Sequence, residues 1–227
     1  MLSTALSPAQ PASWVGNVRV AAVVTVLLAG IVCGAYPLAV WGLAQLLFPW
    51  RANGSLMRAA GGEAMAIVGS ELLGQGFVEP RYFHPRPSGA GDFGHDPASS
   101  GGTNLGPTSA RLISGLTGDA AGPGRGESFA GVAALVVRYR RENELAASIA
   151  VPADAVTRSA SGVDPHISVR NARLQAPRVA RARGMDRIEL ERLVAAHTQG
   201  RDLGFLGEPR VNVLTLNLAL DARERHR

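Results

Sequence analysis

Chemistry needs particular side chains at particular spacings, and this chain supplies few of them. Its five histidines, His84, His95, His166, His197 and His226, are scattered. None pairs with another His, Cys or Glu at the spacing of a zinc site, so no metal is expected. Cys33 is the only cysteine and stands in an apolar run, which argues against thiol catalysis and disulfides alike. No Gly-x-Ser-x-Gly elbow occurs to support a Ser-His-Asp hydrolase. All 23 basic residues are arginine. With no lysine there can be no P-loop lysine, no Schiff base and no Ser-Lys dyad. The Asp-Lys-Thr-Gly loop of P-type pumps is also missing. No catalytic residue is expected in this chain.

The nearest thing to a ligand cradle is Ser99-Ser100-Gly101-Gly102-Thr103-Asn104. Small residues with free backbone N–H groups ahead of a helix can hold an anion, which makes Ser99, Gly101, Gly102, Thr103 and Asn104 the cofactor-binding candidates. A structural turn is the plainer reading of the same residues. Two further stretches combine aromatic, cationic and small residues in loop-like surroundings: Arg81 to Pro87 and Ser161 to His166. Pro177 to His197 resembles a helix-turn-helix around Gly184. With Arg170, Arg173, Arg178, Arg181 and Arg183 it supports an alternative function, a membrane-tethered DNA-binding regulator. Those arginines could meet phosphates or lipid headgroups, or simply form a solvated helix face.

The elements that must position these residues fall into two parts. From Val20 to Trp50, 24 of 31 residues are apolar and none is charged. A bilayer core needs about 20. Trp14, Trp41 and Trp50 lie at or near the edges of this run, where an aromatic belt belongs. A signal peptide has an apolar core of about 7 to 15 residues, so a retained span fits better. Pro37 predicts a kink within it, and Gly30 and Gly34 would let another helix approach. Flanking charges leave its orientation open: Arg19 and the amino terminus stand against Arg51 and Arg58. The organisation expected is a short segment over residues 1–17, a transmembrane helix over 18–48 and a soluble domain over 49–227.

In the soluble part, residues 66–73 predict a strand or short helix, and residues 74–107 form a long loop rich in Gly, Pro and Ser. Loops of this length inside a compact domain are often functional. Helices are expected over 108–116 and 128–142, an extended piece over 156–161, and a helix over 169–183, kinked or restarted at Pro177 and stopped by Gly184. Asp186 and Glu189 predict a capping box for a helix over 187–199. The alternation from Val211 to Leu218 predicts a buried strand. The fold class expected is α+β. The net charge of +5 is mild.

Blocks in order along nearly the whole chain resemble one family. They are Tyr36-Pro37; Phe48-Pro49-Trp50 with Ala52-Asn53-Gly54-Ser55-Leu56; Gly69-Ser70 with Leu73-Gly74-Gln75; Tyr82-Phe83-His84-x-Arg86-Pro87-Ser88; Gly101-Gly102-Thr103-Asn104-Leu105; Ser159-Ala160-Ser161-Gly162-Val163-Asp164-Pro165-His166-Ile167; Arg178-Val179-Ala180-x-Ala182-Arg183; and Val211-Asn212-Val213-Leu214 with Leu216 to Leu220. Together they resemble the C subunits of bacterial Kdp-type potassium-transporting P-type ATPases. Arg51, Arg158 and Ser100 depart from the family pattern without breaking it.

The resemblance implies one N-terminal transmembrane helix followed by one mixed α/β extracytoplasmic domain. It places the chain in the bacterial plasma or inner membrane, single-pass, with its N-terminus in the cytoplasm. It implies three protein partners: a channel-like potassium-binding subunit, a P-type ATPase subunit and a small single-span subunit, with membrane lipid around them and no nucleic acid. ATP and potassium would be handled by the complex, with no cofactor of this chain's own. The role implied is an assembly factor and catalytic chaperone that raises the ATP affinity of the ATPase subunit. A domain outside the membrane can do that only through a coupling energy transmitted across it. The partner-facing residues expected are Gly30, Gly34, Tyr36 and Pro37 in the span, Tyr82, Phe83, His84, Arg86 and Pro87 in the long loop, and Ser161, Gly162, Asp164 and His166.

Overall fold

The computed structural model describes residues 13–58, 66–92, 94–116 and 129–225. They form two compact units that meet in sequence between Asn53 and Gly54.

The first unit is one apolar helix, Trp14–Leu47, long enough to cross a bilayer. Ser13 starts α1 (Trp14–Ala29), its hydroxyl accepting the Gly16 N–H at 3.1 Å. No residue of α1 or of α2 (Tyr36–Leu47) is buried. A helix apolar all round suits lipid rather than one face of a soluble core. The expected kink at Pro37 takes the form of a π-helical turn, Gly30–Ala35, just ahead of it. Proline has no N–H to give, and a wider turn accommodates the missing bond. Phe48, ahead of Pro49, leaves the helical region, and α3 (Pro49–Ala52) adds one turn. The Asn53 side chain fastens that turn, donating to the Pro49 carbonyl at 2.6 Å and to Gln45 at 3.0 Å.

The second unit is α+β. Strands β1 (Leu56–Arg58) and β2 (Ile67–Ser70) form an antiparallel hairpin with a bulge. The described residues of 71–109 are irregular apart from a 3₁₀ turn at Pro97–Ser99, as the composition predicts. Then come α4 (Ala110–Ser114), the short pair β3 (Gly115–Leu116) and β4 (Phe129–Ala130), and α5 (Val132–Glu142). The remainder is β5 (His166–Ser168), α6 (Val169–Arg183), α7 (Arg187–Ala196), β6 (Thr198–Gln199), β7 (Arg210–Asn212) and α8 (Val213–Glu224). The sheet order is β5-β7-β6, antiparallel throughout.

Helix α6 is the centre of this unit. Ser168 caps it, and Gly184 ends it in the left-handed region, as expected. Ala172, Ala176, Val179 and Ala180 pack with Leu190, Leu193 and Val194 of α7 and Leu216 and Leu220 of α8 in one buried cluster. The small side chains on α6 let its neighbours come close. Pro177 is accommodated inside the helix.

Four expectations are corrected. The strand over 211–218 is three residues of β7 followed by helix α8 from Val213, whose third amide, at Thr215, is capped by the Asn212 side chain at 3.1 Å. Val213, Leu216, Asn217 and Leu220 are buried at helical spacing, and the alternating leucines hid that pattern. Helix α7 ends at Ala196 rather than 199, because Thr198 and Gln199 pair with β7. Residues 156–161 form turns and bends rather than a strand. Both helices expected over 108–142 are shorter, because β3 and β4 take their ends. Asp186 does cap α7, accepting from the amides of Ile188 and Glu189.

Candidate functional site

The long loop crosses α6 and α8, and buried side chains of those helices hold it residue by residue. Five successive carbonyls, Pro80 to His84, each accept from a side chain. Arg178 donates to the Pro80 and Tyr82 oxygens at 2.6 and 3.0 Å. Arg183 donates to the Arg81 oxygen at 2.7 Å. Asn217 grips Phe83 on both sides, accepting from its N–H at 2.9 Å and donating to its carbonyl at 3.0 Å. Gln175 does the same for His84, at 2.7 and 3.0 Å. The Phe83 side chain is fully buried in the main core. The loop therefore has the hydrogen-bond satisfaction of a sheet strand without a neighbouring strand.

Behind this clamp runs a chain of buried polar groups. Gln175 donates to Asn171 at 2.9 Å, and Tyr139 donates to the same oxygen at 2.7 Å. Asn171 in turn donates to Asp154, whose other contacts are the Ser168 amide and hydroxyl. Asn171, Gln175 and Arg178 lie at i, i+4 and i+7, so one stripe of α6 carries the network. Burial lowers the Arg178 pKa, with Glu142 and Tyr139 opposing the shift. Burial raises that of the Tyr139 hydroxyl.

His84 sits where the clamp opens into a cleft of about 950 Å³, whose lining includes Arg86, Pro87, Gly102, Thr103, Glu142 and Arg158. Burial, then the Arg178 charge, pulls the His84 pKa below its ordinary value. Its Nε2 lies 3.1 Å from the Glu79 carbonyl and its Nδ1 3.8 Å from Glu142. Arg86 pairs with Asp164 at 2.9 Å. Burial pushes the Asp164 carboxyl up, but bonds from His166 and Arg86 prevail and hold it down to about 2.

The two loop stretches singled out in the sequence come together. The Ser88 hydroxyl donates to the Gly162 carbonyl at 2.6 Å, and the Gly101 amide donates to the Ser161 carbonyl at 2.9 Å. Gly162 has φ +71, and a Cβ there would lie 2.6 Å from the Ala90 Cβ. In the Ser99 to Asn104 segment the Gly101 amide is engaged by Ser161, while Gly102 and Thr103 line the cleft. Tyr82 is held between the Arg81 and Arg183 guanidinium groups, at 5.3 and 4.9 Å, and its hydroxyl donates to Asp221. Phe83 is part of the core rather than of a surface. Tyr36 is exposed on α2, and a Cβ on Gly30 or Gly34 would meet nothing within 4 Å in this chain.

The sequence reading missed Gln175, Asn171, Asn217, Asp154 and Tyr139. For Asn171, Gln175 and Asn217 the signal was a polar residue at the apolar spacing of α6 and α8. Of the five arginines of α6, Arg170, Arg173 and Arg181 are exposed as expected, but two are not. Arg178 is 6% exposed, and the Arg183 side chain, 2% exposed, pairs with Asp221 and Glu224. Neither belongs to a phosphate-binding patch or a solvated face. His226 lies outside the described residues.

Residues 18–222 match the family described as K+-transporting ATPase, c chain. The chain belongs to the KdpC family. It is 51% identical over 195 residues to the potassium-transporting ATPase KdpC subunit of Mycobacterium tuberculosis H37Rv, covering 86% of this chain and 90% of that one. It is 53% identical over 201 residues to the one from Myxococcus xanthus, covering 88% and 84%. The Geobacter sulfurreducens protein of the same name is 48% identical over 201 residues, covering 88% and 95%. Membership in the KdpC family makes the chain an accessory subunit of the potassium-transporting ATPase complex. It displaces the regulator reading, and the helices α6 and α7 of that reading pack with α8 in one buried core.

Proposed function

We propose that this chain serves its pump without catalytic residues of its own, through a rigid docking surface built on the clamped loop. The domain lies on the outer face of the membrane, with the N-terminus in the cytoplasm. Pro87, His84, Arg86 and the Ser161 to His166 turn dock against the channel-like potassium-binding subunit, and Gly30, Gly34, Tyr36 and Pro37 face that subunit within the bilayer. The ATPase and small single-span subunits complete the assembly, and ATP and potassium bind there rather than here. Any rise in ATP affinity reaches the ATPase subunit as a coupling energy across the membrane.

The observation that supports this reading is the clamp. Five carbonyls in a row engaged by helix side chains leave the loop no freedom to lose, so it binds a partner at low entropic cost. Replacing His84 and Arg86 with alanine is expected to weaken copurification with the other pump subunits and to lower apparent potassium affinity while leaving the helix content of the chain intact. Normal assembly and normal affinity would sink the docking role. A reporter fused after Arg227 reads orientation: activity only on the cytoplasmic side overturns the outer-face placement. Adding the purified chain to a pump lacking it, and measuring the KM for ATP, tests the chaperone role.

A further inference from the structure

The connection between β6 and β7 holds three large apolar side chains in water. Residues 201–209 are all exposed, with Leu203 at 83%, Phe205 at 68% and Leu206 at 49%. The loop is held in one shape. Asp202 and Leu206 exchange both backbone hydrogen bonds, each at 2.9 Å. Below them Arg201 grips both Glu208 oxygens at 2.8 and 2.9 Å, and Arg210 pairs with Asp202 at 3.1 Å. Leu203 has φ +53, a region leucine seldom adopts, flanked by Gly204 at +82. Strain of this kind at an exposed apolar tip points to function rather than packing.

The location of the hairpin base says what the tip meets. Asn212 donates to the Glu71 carbonyl at 2.8 Å, Gln199 reaches the Glu71 carboxylate at 3.4 Å, and the Glu71 amide donates to Ser55. Ser55 stands two residues after Asn53, so this is the end of the domain where the chain arrives from the apolar helix. The same end carries Leu56, Ile67 and Leu72, also exposed. Together these make six of the eleven large exposed apolar side chains described in the second unit. A tethered domain with apolar side chains exposed near its tether, and more on the tip of a hairpin rooted there, fits a bilayer surface. The tip holds no Tyr, Trp or Arg of the kind that anchors protein interfaces, and the charges beneath it are already paired, which lowers the cost of nearing a low-dielectric phase.

We propose that the Leu203-Gly204-Phe205-Leu206 tip inserts into the lipid surface, giving the domain a second, reversible hold on the membrane. The attraction is apolar, so it does not require anionic lipid. This inference rests on the single-span reading, and the test separates the two. The full chain is reconstituted in phosphatidylcholine vesicles with and without brominated lipid. A fluorophore is placed on Leu203→Cys or Phe205→Cys in a Cys33→Ser background, on Val137→Cys or Ile188→Cys as exposed apolar controls, and on native Cys33 as the marker of the span. Brominated lipid is expected to quench Cys33 and both tip labels several-fold, while iodide in water quenches the two controls. Tip labels quenched by iodide and not by lipid overturn the inference while Cys33 keeps the span reading intact. An unquenched Cys33 overturns both. Repeated in the assembled pump, tip labels shielded from both quenchers mean a protein socket, which also overturns it.

Discussion

Two irregular segments of the second unit, residues 80–84 and 201–209, solve the same problem in opposite ways. Both run outside regular structure, and both are fixed in shape. The first is held from inside: Arg178, Gln175, Asn217 and Arg183 satisfy its carbonyls, and Phe83 anchors it in the core. The second is held from outside, by its own backbone bonds and two surface ion pairs, and buries nothing. Buried hydrogen bonds cannot trade with water, whereas surface pairs can. The inner clamp therefore couples its loop to global stability, and the outer staple fixes shape at little energetic depth.

Removing the inner clamp should have the largest effect. Arg178→Ala leaves the Pro80 and Tyr82 carbonyls and the Asn143 oxygen without this donor and takes one of two donors from the Gln175 oxygen. The expected cost is about 3–5 kcal/mol, read from denaturant unfolding followed by circular dichroism. Asn217→Ala, which frees both polar groups of Phe83, should cost about 2–3 kcal/mol. Amide exchange over 81–84 should rise in both variants. Unchanged exchange there would mean that the loop is held by something other than these side chains.

Two glycines sharpen the contrast. Gly162 and Gly204 both have positive φ, +71 and +82. An added Cβ at Gly162 meets the Ala90 Cβ at 2.6 Å and the Gly101 carbonyl at 2.7 Å, while at Gly204 it meets nothing within 4 Å. Gly162→Ala should cost about 3 kcal/mol, from strain and overpacking together. Gly204→Ala should cost about 1 kcal/mol, from backbone strain alone. Equal losses in thermal unfolding would show that packing is not what separates the two regions.

The inner region should also carry the pH dependence. Asp164 is held at about 2 in the fold, below its ordinary 3.8. The unfolded chain therefore takes up the proton first, and this stabilisation is in place above about pH 4 and lost as pH falls toward 2. It amounts to about 2 kcal/mol at most, and Asp164→Asn should remove that slope from the unfolding profile. His84 is also lowered, by burial and by Arg178, so its neutral form belongs to the fold. Its contribution is complete above about pH 6.5 and is lost on acidification, and His84→Gln should flatten the profile just below that pH.

Local chemistry was legible where one residue decides one feature. Gly184 ends α6, Asp186 starts α7, and the charge-free run from Val20 belongs to the apolar helix as far as Leu47. What stayed hidden depended on partners far along the chain. Nothing near Gln175 announces that it will bind His84, 91 residues away. Arg178 and Arg183 looked like surface charge because burial of an arginine depends on acceptors brought by another segment. The leucines after Asn212 fit a strand or a helix, and only the Asn212 cap and the depth of the core decide between them. The loop's fixed shape was invisible for the same reason: it has no pattern of its own and takes its order from α6 and α8.

The smallest effect should come from the outer staple. Arg201 is 43% exposed and Glu208 79%, so water screens their pair. Arg201→Ala should change global stability by less than about 1 kcal/mol. The Asp202–Leu206 backbone pair and the Arg210–Asp202 ion pair remain, so the tip should loosen without collapsing. Faster amide exchange at Leu206 alone, with an unchanged unfolding midpoint, is the expected signature. A loss as large as that of Asn217→Ala would mean that the 201–209 hairpin is coupled to the core, and the contrast between the two segments would fail.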